Sequence, residues 1–151
     1  MTGQDRFALI ALWAIRLFLV GIFLVAGVGK VLDPIGFLTV VRDFELLSDP
    51  WAAWLAMGLP WLEIATAIAL LTPWLAMGGA AVAGGMLTIF IGALASAWAR
   101  GMAIDCGCFG GGSDLLTTYL DVISIRLGLL VMCGVVFWLL WQETQKRQKL
   151  T

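Results

Sequence analysis

The sequence predicts an all-α protein, a four-helix transmembrane bundle, and three observations support this. Of its 151 residues, 62% are hydrophobic and 13% are charged, whereas soluble domains are about half apolar and about a quarter charged. The few charges cluster between long apolar runs. Four runs reach the roughly 20 residues that a helix needs to cross a bilayer. We expect spans at about 7–29, 51–72, 74–98 and 119–141 within one membrane domain, residues 1–151.

Each span has its own pattern of charge. The first span is interrupted only by Arg16, and the second contains Pro60 and Glu63. The third span has no charge, and the fourth carries Asp121 and Arg126 near its start. The first run is longer than the apolar part of a typical signal peptide and has an arginine at its middle, so we expect it to remain as a membrane helix.

Small residues dominate the third span, between 78 and 85 and again between 92 and 96. Small residues four apart let two helix backbones approach closely in a membrane. The pattern predicts a central helix in a tight bundle. A seam between two copies of the chain is the alternative, so an oligomer is possible.

The loops and tails predict the orientation. An even number of spans places both termini on one side, and basic residues lie at both ends: Arg6 and three residues between 146 and 149. The positive-inside rule then places both termini in the cytoplasm and the chain in the cytoplasmic (inner) membrane. The long polar loops, 30–50 and 99–118, would face outward. Tryptophans near the span ends are expected to anchor at the headgroup level: Trp51, Trp54, Trp74, Trp98, Trp138 and Trp141.

The composition excludes several classes of function. The chain has no histidine, so by itself it cannot form a histidine-ligated haem, a zinc site built on histidine, or a Ser-His-Asp hydrolase. The net charge is −1, and no basic block indicates binding to nucleic acid. The lipid bilayer is the first expected partner.

Cys106 and Cys108 are the strongest chemical signal in the sequence. They flank Gly107 in the second outer loop, where thiols are readily oxidised. A disulfide between them would close a very small ring, so it would constrain the unfolded chain little, and strained disulfides are the exchange-active ones. We therefore predict a catalytic thiol–disulfide pair. Two alternatives stay open: capture of a soft metal such as Cu(I), with Met86 or Met102 as further ligands, and an inert structural pair.

The surroundings of the pair do not decide its reactivity. Arg100 would favour the thiolate form, whereas Asp105 would oppose it. The third cysteine, Cys133, lies deep in the fourth span. We expect it to be a small buried apolar residue rather than a redox partner.

Four charged residues lie within or beside apolar spans, and these are the predicted binding or proton-relay residues: Arg16, Lys30, Glu63 and Arg126. Charges in a membrane are costly and usually face the bundle interior. We expect Glu63 to pair with Arg16, and Arg126 could reach Glu63 or acidic residues of the outer loops. The cluster could form a polar pocket for a quinone head group or a proton relay, or it could be a structural ion pair. Lys30 is expected to be an interfacial anchor or to face the cysteine loop.

Several short motifs carry a family resemblance: Arg16, Ala26-Gly27-x-x-Lys30, Asp33-Pro34, Leu59-Pro60-Trp61-Leu62-Glu63 and Cys106-Gly107-Cys108-Phe109-Gly110. Together they resemble the MauE branch of the DoxX-like membrane proteins over nearly the whole chain. The resemblance implies a four-helix redox-associated protein of methylamine metabolism. It also implies a periplasmic thioredoxin-like partner or a client such as a methylamine dehydrogenase subunit.

The sequence leaves three functions open. The chain could be a thiol–disulfide or quinone-linked oxidoreductase, with Cys106 and Cys108 as its reactive pair. It could handle a soft metal through the same two sulfurs. It could also be a non-catalytic assembly subunit whose outer loop 30–50 docks a partner. No cofactor is certain, and a quinone is the candidate.

Overall fold

The computed structural model describes residues 3–101 and 115–148, and within these it contains helices and no strand. The predicted all-α fold is confirmed. The helices are α1 Gly3–Leu32, α2 Pro34–Asp43, α3 Trp51–Leu71, α4 Ala76–Ala99 and α5 Leu115–Gln148.

Four helices are long and apolar enough to cross a membrane. The spans are Leu9–Leu32, Trp51–Leu71, Ala76–Ala99 and Val122–Gln145, and each agrees with its predicted range within a few residues. Most side chains in these spans face outward, because at most a third of each span is buried inside the protein. A bundle that leaves so much apolar surface uncovered needs lipid as its solvent. The chain is therefore a multi-pass membrane protein.

The prediction of a long polar loop over 30–50 is wrong, because helix α2 occupies part of this segment. Asp33 caps its first turn by accepting a hydrogen bond from the Gly36 amide at 2.9 Å. Pro34 follows the cap, where its fixed φ suits a helix start and its missing N–H costs nothing. The apolar face of α2 packs on α3 through Val41. An aspartate followed by proline was the signal in the sequence for this helix start.

The spanning helices form a ring in which each contacts two others. Helix α1 packs on α3 and α5, and α4 packs on the same two helices. The main core lies in the middle of this ring and includes Leu19, Leu70 and Val136, all with no exposed side-chain surface. Small residues of α4 serve close packing on α3, since a Cβ added at Gly79 would lie 3.0 Å from the Leu70 backbone nitrogen.

Helix α2 covers the end of the bundle where α4 ends and α5 begins. Phe44, which follows α2, packs with Leu94 and Ala97 of α4 and with the start of the α5 span. Arg100 donates a hydrogen bond to the Phe44 carbonyl at 2.6 Å. Gly101 then ends α4 in the left-handed region at φ +68°, a conformation that favours glycine after a helix.

Candidate functional site

The two cysteines of the predicted reactive pair lie outside the described residues. The structure fixes the chain on either side of them, at Gly101 after α4 and at Leu115, the first residue of α5. Both α4 and the α5 span meet α2 at one end of the bundle, through the cluster around Phe44. The chain that carries Cys106 and Cys108 therefore departs from the α2 end.

Lys30 and Glu63 form an ion pair between α1 and α3. The Lys30 ammonium donates to both carboxylate oxygens of Glu63, at 2.6 Å and 2.7 Å. Both side chains are largely buried, at 17% and 12% exposure. Lys30 also lies 5.3 Å from the Phe37 ring of α2, a distance at which a cation and a ring attract. Lys30 is therefore held by Glu63 and does not extend as a snorkelling anchor, whereas the cysteine loop, which it was alternatively expected to face, lies outside the described residues.

Gly27 explains why the ion pair forms at this point. A Cβ added there would lie 2.9 Å from the Ile64 side chain and 3.0 Å from the Pro60 carbonyl oxygen. The α1 and α3 backbones can therefore approach closely only because this residue is glycine. Lys30 follows one turn later on the same face of α1, where its flexible side chain reaches Glu63.

Arg16 does not pair with Glu63, so that expectation is wrong. Its guanidinium donates two hydrogen bonds to the Leu70 carbonyl, one of them from Nε at 2.9 Å. Leu70 is the penultimate residue of α3, and the last carbonyls of a helix have no partner within it. A positive charge is also favourable at this negative end of the helix dipole. Arg16, which is 3% exposed and lies 4.3 Å from the Trp13 ring, therefore caps α3.

Arg126 and Glu63 line one small cavity at the centre of the bundle. The Arg126 guanidinium stacks over the Phe90 ring of α4 at 3.7 Å. The cavity has a volume of about 50 Å³. All four spanning helices contribute its walls, which are Phe23, Leu59, Glu63, Met86, Leu87, Phe90 and Arg126. We call it the polar cavity. It offers a carboxylate and a guanidinium between apolar and aromatic walls.

A larger apolar groove opens between α4 and α5, beyond the polar cavity. Its volume is about 370 Å³, and its lining is almost entirely apolar. The lining residues are Ala80, Ala81, Gly84, Leu130, Cys133, Gly134 and Phe137. We call it the α4–α5 groove. Cys133 is 2% exposed, which confirms that it is a small buried residue.

The structure thus divides the four predicted charged residues into two groups. Lys30, Glu63 and Arg126 belong to one site through the ion pair and the polar cavity, and Arg16 belongs to a helix cap. The sequence analysis missed Phe90, which supports Arg126, and the role of Gly27. The sequence held one sign of the role of Gly27: it lies three residues before Lys30, so both residues share one face of α1. No group of three or more potential metal ligands occurs among the described histidine, cysteine and acidic residues.

These features define a class: an integral membrane protein with four spans, an intramembrane polar site, and two closely spaced cysteines between its last two spans. The family model described as "Methylamine utilisation protein MauE" matches residues 8–141. The chain belongs to the MauE family.

The curated relatives are similar over most of the chain. It is 37% identical over 129 residues to "Methylamine utilization protein MauE" of Paracoccus denitrificans, covering 82% of this chain and 69% of that protein. The protein of the same name from Methylorubrum extorquens is 36% identical over 127 residues, with coverage of 83% and 68%. That from Paracoccus versutus is 42% identical over 101 residues, with coverage of 66% and 54%. No solved structure matches.

Proposed function

We propose that this protein is a membrane accessory protein of methylamine utilisation that carries out thiol–disulfide exchange on the outer side of the cytoplasmic membrane. Cys106 and Cys108 would be the reactive pair, and the product would be the matured disulfides of a periplasmic protein. The names of its relatives support the pathway. The observation that carries the chemistry is the Cys-Gly-Cys pair between α4 and α5 in a chain whose third cysteine is buried.

The reaction needs one attacking thiolate and one resolving thiol. One cysteine would attack a partner disulfide and form a mixed disulfide, and its neighbour would then release the partner as a dithiol. In the opposite direction, the Cys106–Cys108 disulfide would oxidise a partner dithiol. Two electrons and two protons pass between the proteins in either direction. Gly107 between the two sulfurs allows the backbone torsions that so small a ring needs.

Contacts between the described helices support a partner that docks at the α2 end of the bundle. Phe44 beside α2 packs on the end of α4 and on the start of the α5 span, so a partner of the cysteine pair would also contact α2. Residues around α2 carry exposed charge, including Arg42 and Asp49, whose ion pair of 2.9 Å is half-exposed. The basic residues between 146 and 149 would lie on the opposite, cytoplasmic side. We propose a thioredoxin-like or client protein as the partner at the α2 end.

Trapping a mixed disulfide tests the exchange. The Cys106→Ser and Cys108→Ser variants would be expressed in membranes, trapped with acid, and analysed for covalent partners by mass spectrometry. We expect one of the two to accumulate a mixed disulfide with a periplasmic protein. The matched control is Cys133→Ser, which should trap nothing and retain full function. Full function in both single variants would contradict the proposal.

A topology reporter tests the location independently. Fused after Asp114, a reporter that is active only outside the cytoplasm should give a signal, and one fused after Thr151 should not. A cytoplasmic signal after Asp114 would contradict the proposal, because the reducing cytoplasm would keep both thiols free.

A further inference from the structure

Arg100 joins the end of α4 to the end of α2. Its Nη2 atom donates a hydrogen bond to the Phe44 carbonyl at 2.6 Å and a longer one to the Ser96 hydroxyl at 3.3 Å. Its Nε atom donates to the Ser96 carbonyl, also at 3.3 Å. Phe44 and Arg100 lie 56 residues apart in the chain, so the short bond connects two separate elements. We call the Arg100–Phe44 bond the α2 clamp.

The acceptor of the α2 clamp is a carbonyl at the end of a helix. Phe44 is the C-cap residue of α2, and the last carbonyls of a helix have no partner within it. A positive charge is also favourable at this negative end of the helix dipole. The Phe44 ring is fixed as well, because it packs edge-on against the Phe90 ring at 6.2 Å. Phe44 is therefore held through both its ring and its carbonyl.

The α2 clamp lies directly before the segment that carries the two cysteines. Helix α2 packs on α1 and α3, neither of which leads into that segment. The end of α2 meets α4 at Phe44, which packs on α4 and accepts the bond from Arg100. Gly101 follows Arg100 and leads into the segment that contains Cys106 and Cys108. The clamp therefore ties α2 to the point where the chain of the reactive pair begins.

We propose that Arg100 is a positioning residue for the thiol–disulfide exchange. By holding the Phe44 carbonyl, it keeps the end of α2 at a fixed place relative to the start of the cysteine segment. A protein that docks on α2 then meets the two sulfurs in one orientation, and correct orientation lowers the barrier of a reaction between bound groups. This inference rests on the proposed function, which places both the docking partner and the reactive pair at the α2 end.

Positioning differs from the electrostatic role that the sequence indicated for Arg100. A guanidinium directed at a thiol favours the thiolate, and it would change the reaction of that thiol with every reagent. The Arg100 guanidinium is instead directed at the Phe44 carbonyl and the Ser96 hydroxyl, where its charge faces the end of the α2 dipole. A positioning residue affects exchange with a docked protein and leaves the reaction with a small reagent unchanged.

Hydrogen exchange tests the α2 clamp without relying on activity. The wild type and Arg100→Gln would be compared in nanodiscs by mass spectrometry. We expect the amides of residues 40–45 to exchange about tenfold faster in the variant, the scale of one lost charge-assisted hydrogen bond, and those of α3 to be unchanged. The matched control is Ser96→Ala, which keeps the bond to Phe44 and should match the wild type. Equal exchange in the wild type and Arg100→Gln would overturn the proposal.

Two reductants of different size test the positioning role. Dithiothreitol and reduced thioredoxin each pass two electrons and two protons to the Cys106–Cys108 disulfide and form a disulfide of their own. Arg100→Gln should react with dithiothreitol at the wild-type rate. With thioredoxin it should react about tenfold more slowly below saturation, through a higher half-saturating concentration. Arg100→Lys keeps one charged donor and should recover part of the loss. Equal slowing with both reductants, or with neither, would overturn the positioning role.

The pH dependence of alkylation separates positioning from an effect on the thiols. Iodoacetamide reacts with the thiolate, so its rate with reduced Cys106 and Cys108 should have the same pH midpoint in the wild type and Arg100→Gln. A midpoint at higher pH in the variant would show that Arg100 acts through the thiolate, and would overturn the proposal. Failure of dithiothreitol to release thiols from the oxidised wild type would instead contradict the proposed function, while hydrogen exchange would still decide the α2 clamp.

Discussion

The two seams of the bundle, α1–α3 and α4–α5, differ in how they are closed. The α1–α3 seam is tight at Gly27, where an added Cβ would meet Ile64 at 2.9 Å. Charged side chains bind across it, since Lys30 pairs with Glu63 and Arg16 caps α3. The α4–α5 seam has small residues too, but it keeps a groove of about 370 Å³.

This difference shows that small residues can serve opposite purposes in one protein. Between α1 and α3, charged pairs and a close backbone approach occur together, and they fix the position of one helix relative to the other. Where small residues occur without such contacts, as around Gly84 and Gly134, they leave space. The α1–α3 seam is therefore closed by a close backbone approach and by charged side chains, whereas the α4–α5 seam keeps an apolar groove. Substitutions on the two seams should have correspondingly different effects.

The largest effect is expected from Lys30→Met, which leaves Glu63 buried without its partner. The free energy of unfolding should fall by about 4 kcal/mol, since breaking one side of a buried pair costs about 3–5 kcal/mol. Adding Glu63→Met should recover most of the loss. Reversible unfolding in mixed detergent micelles would measure both. If the double variant is as unstable as the single one, the ion pair does not couple the two residues.

Gly27→Val should lower the free energy of unfolding by about 3 kcal/mol, because overpacking a tight contact costs about 1–3 kcal/mol and the Pro60 backbone cannot easily move. Gly85→Val is the matched control, since no atom lies within 4 Å of an added Cβ there. Both variants would be compared in the same detergent unfolding assay. Equal losses would mean that α1 and α3 do not approach as closely as described.

Arg16→Met should lower the free energy of unfolding by about 2 kcal/mol. It leaves the Leu70 carbonyl without its donors, and an unsatisfied buried group costs about 1–3 kcal/mol. Arg16→Lys keeps one charged donor and should cost less. Unfolding midpoints in increasing dodecyl sulfate would order the three proteins. A methionine variant more stable than the lysine variant would show that the cap does not contribute.

The smallest effect is expected from Gly134→Leu in the α4–α5 groove. The added side chain enters open space, so the free energy of unfolding should change by about 0.5 kcal/mol or less, as for substitutions away from packed features. Thermal unfolding followed by tryptophan fluorescence would detect it. A loss comparable to that of Gly27→Val would remove the distinction between the two seams.

Hydropathy was sufficient to predict the four spans, because a bilayer imposes helix length directly. It could not predict α2, since a short amphipathic helix beside a membrane has no long apolar run. The start signal at Asp33 and Pro34 was present, but the acidic residues that follow favoured a loop. The family was also visible in the sequence, through the spacing of motifs that include Glu63 and Cys106.

The partners of the charged residues were harder to predict. Arg16 and Glu63 both lie within their spans, so their sequence positions alone favoured a pair. The actual partners depend on how far α1 is shifted along α3, and the close approach at Gly27 fixes that shift. Arg126 was expected to reach Glu63 or outer acids, and the structure places both Arg126 and Glu63 on one cavity. Cys106 and Cys108 lie outside the described residues, so their pairing stays a prediction.

The cap that Arg16 provides has a consequence for the order of assembly during synthesis. Its acceptor, the carbonyl of Leu70, lies 54 residues later in the chain. A charged arginine within a newly inserted membrane helix is costly, and this cost persists until α3 has been made. Helix α1 therefore enters the bilayer with the Arg16 side chain lacking its acceptor, and the insertion of α3 supplies that acceptor at the Leu70 carbonyl.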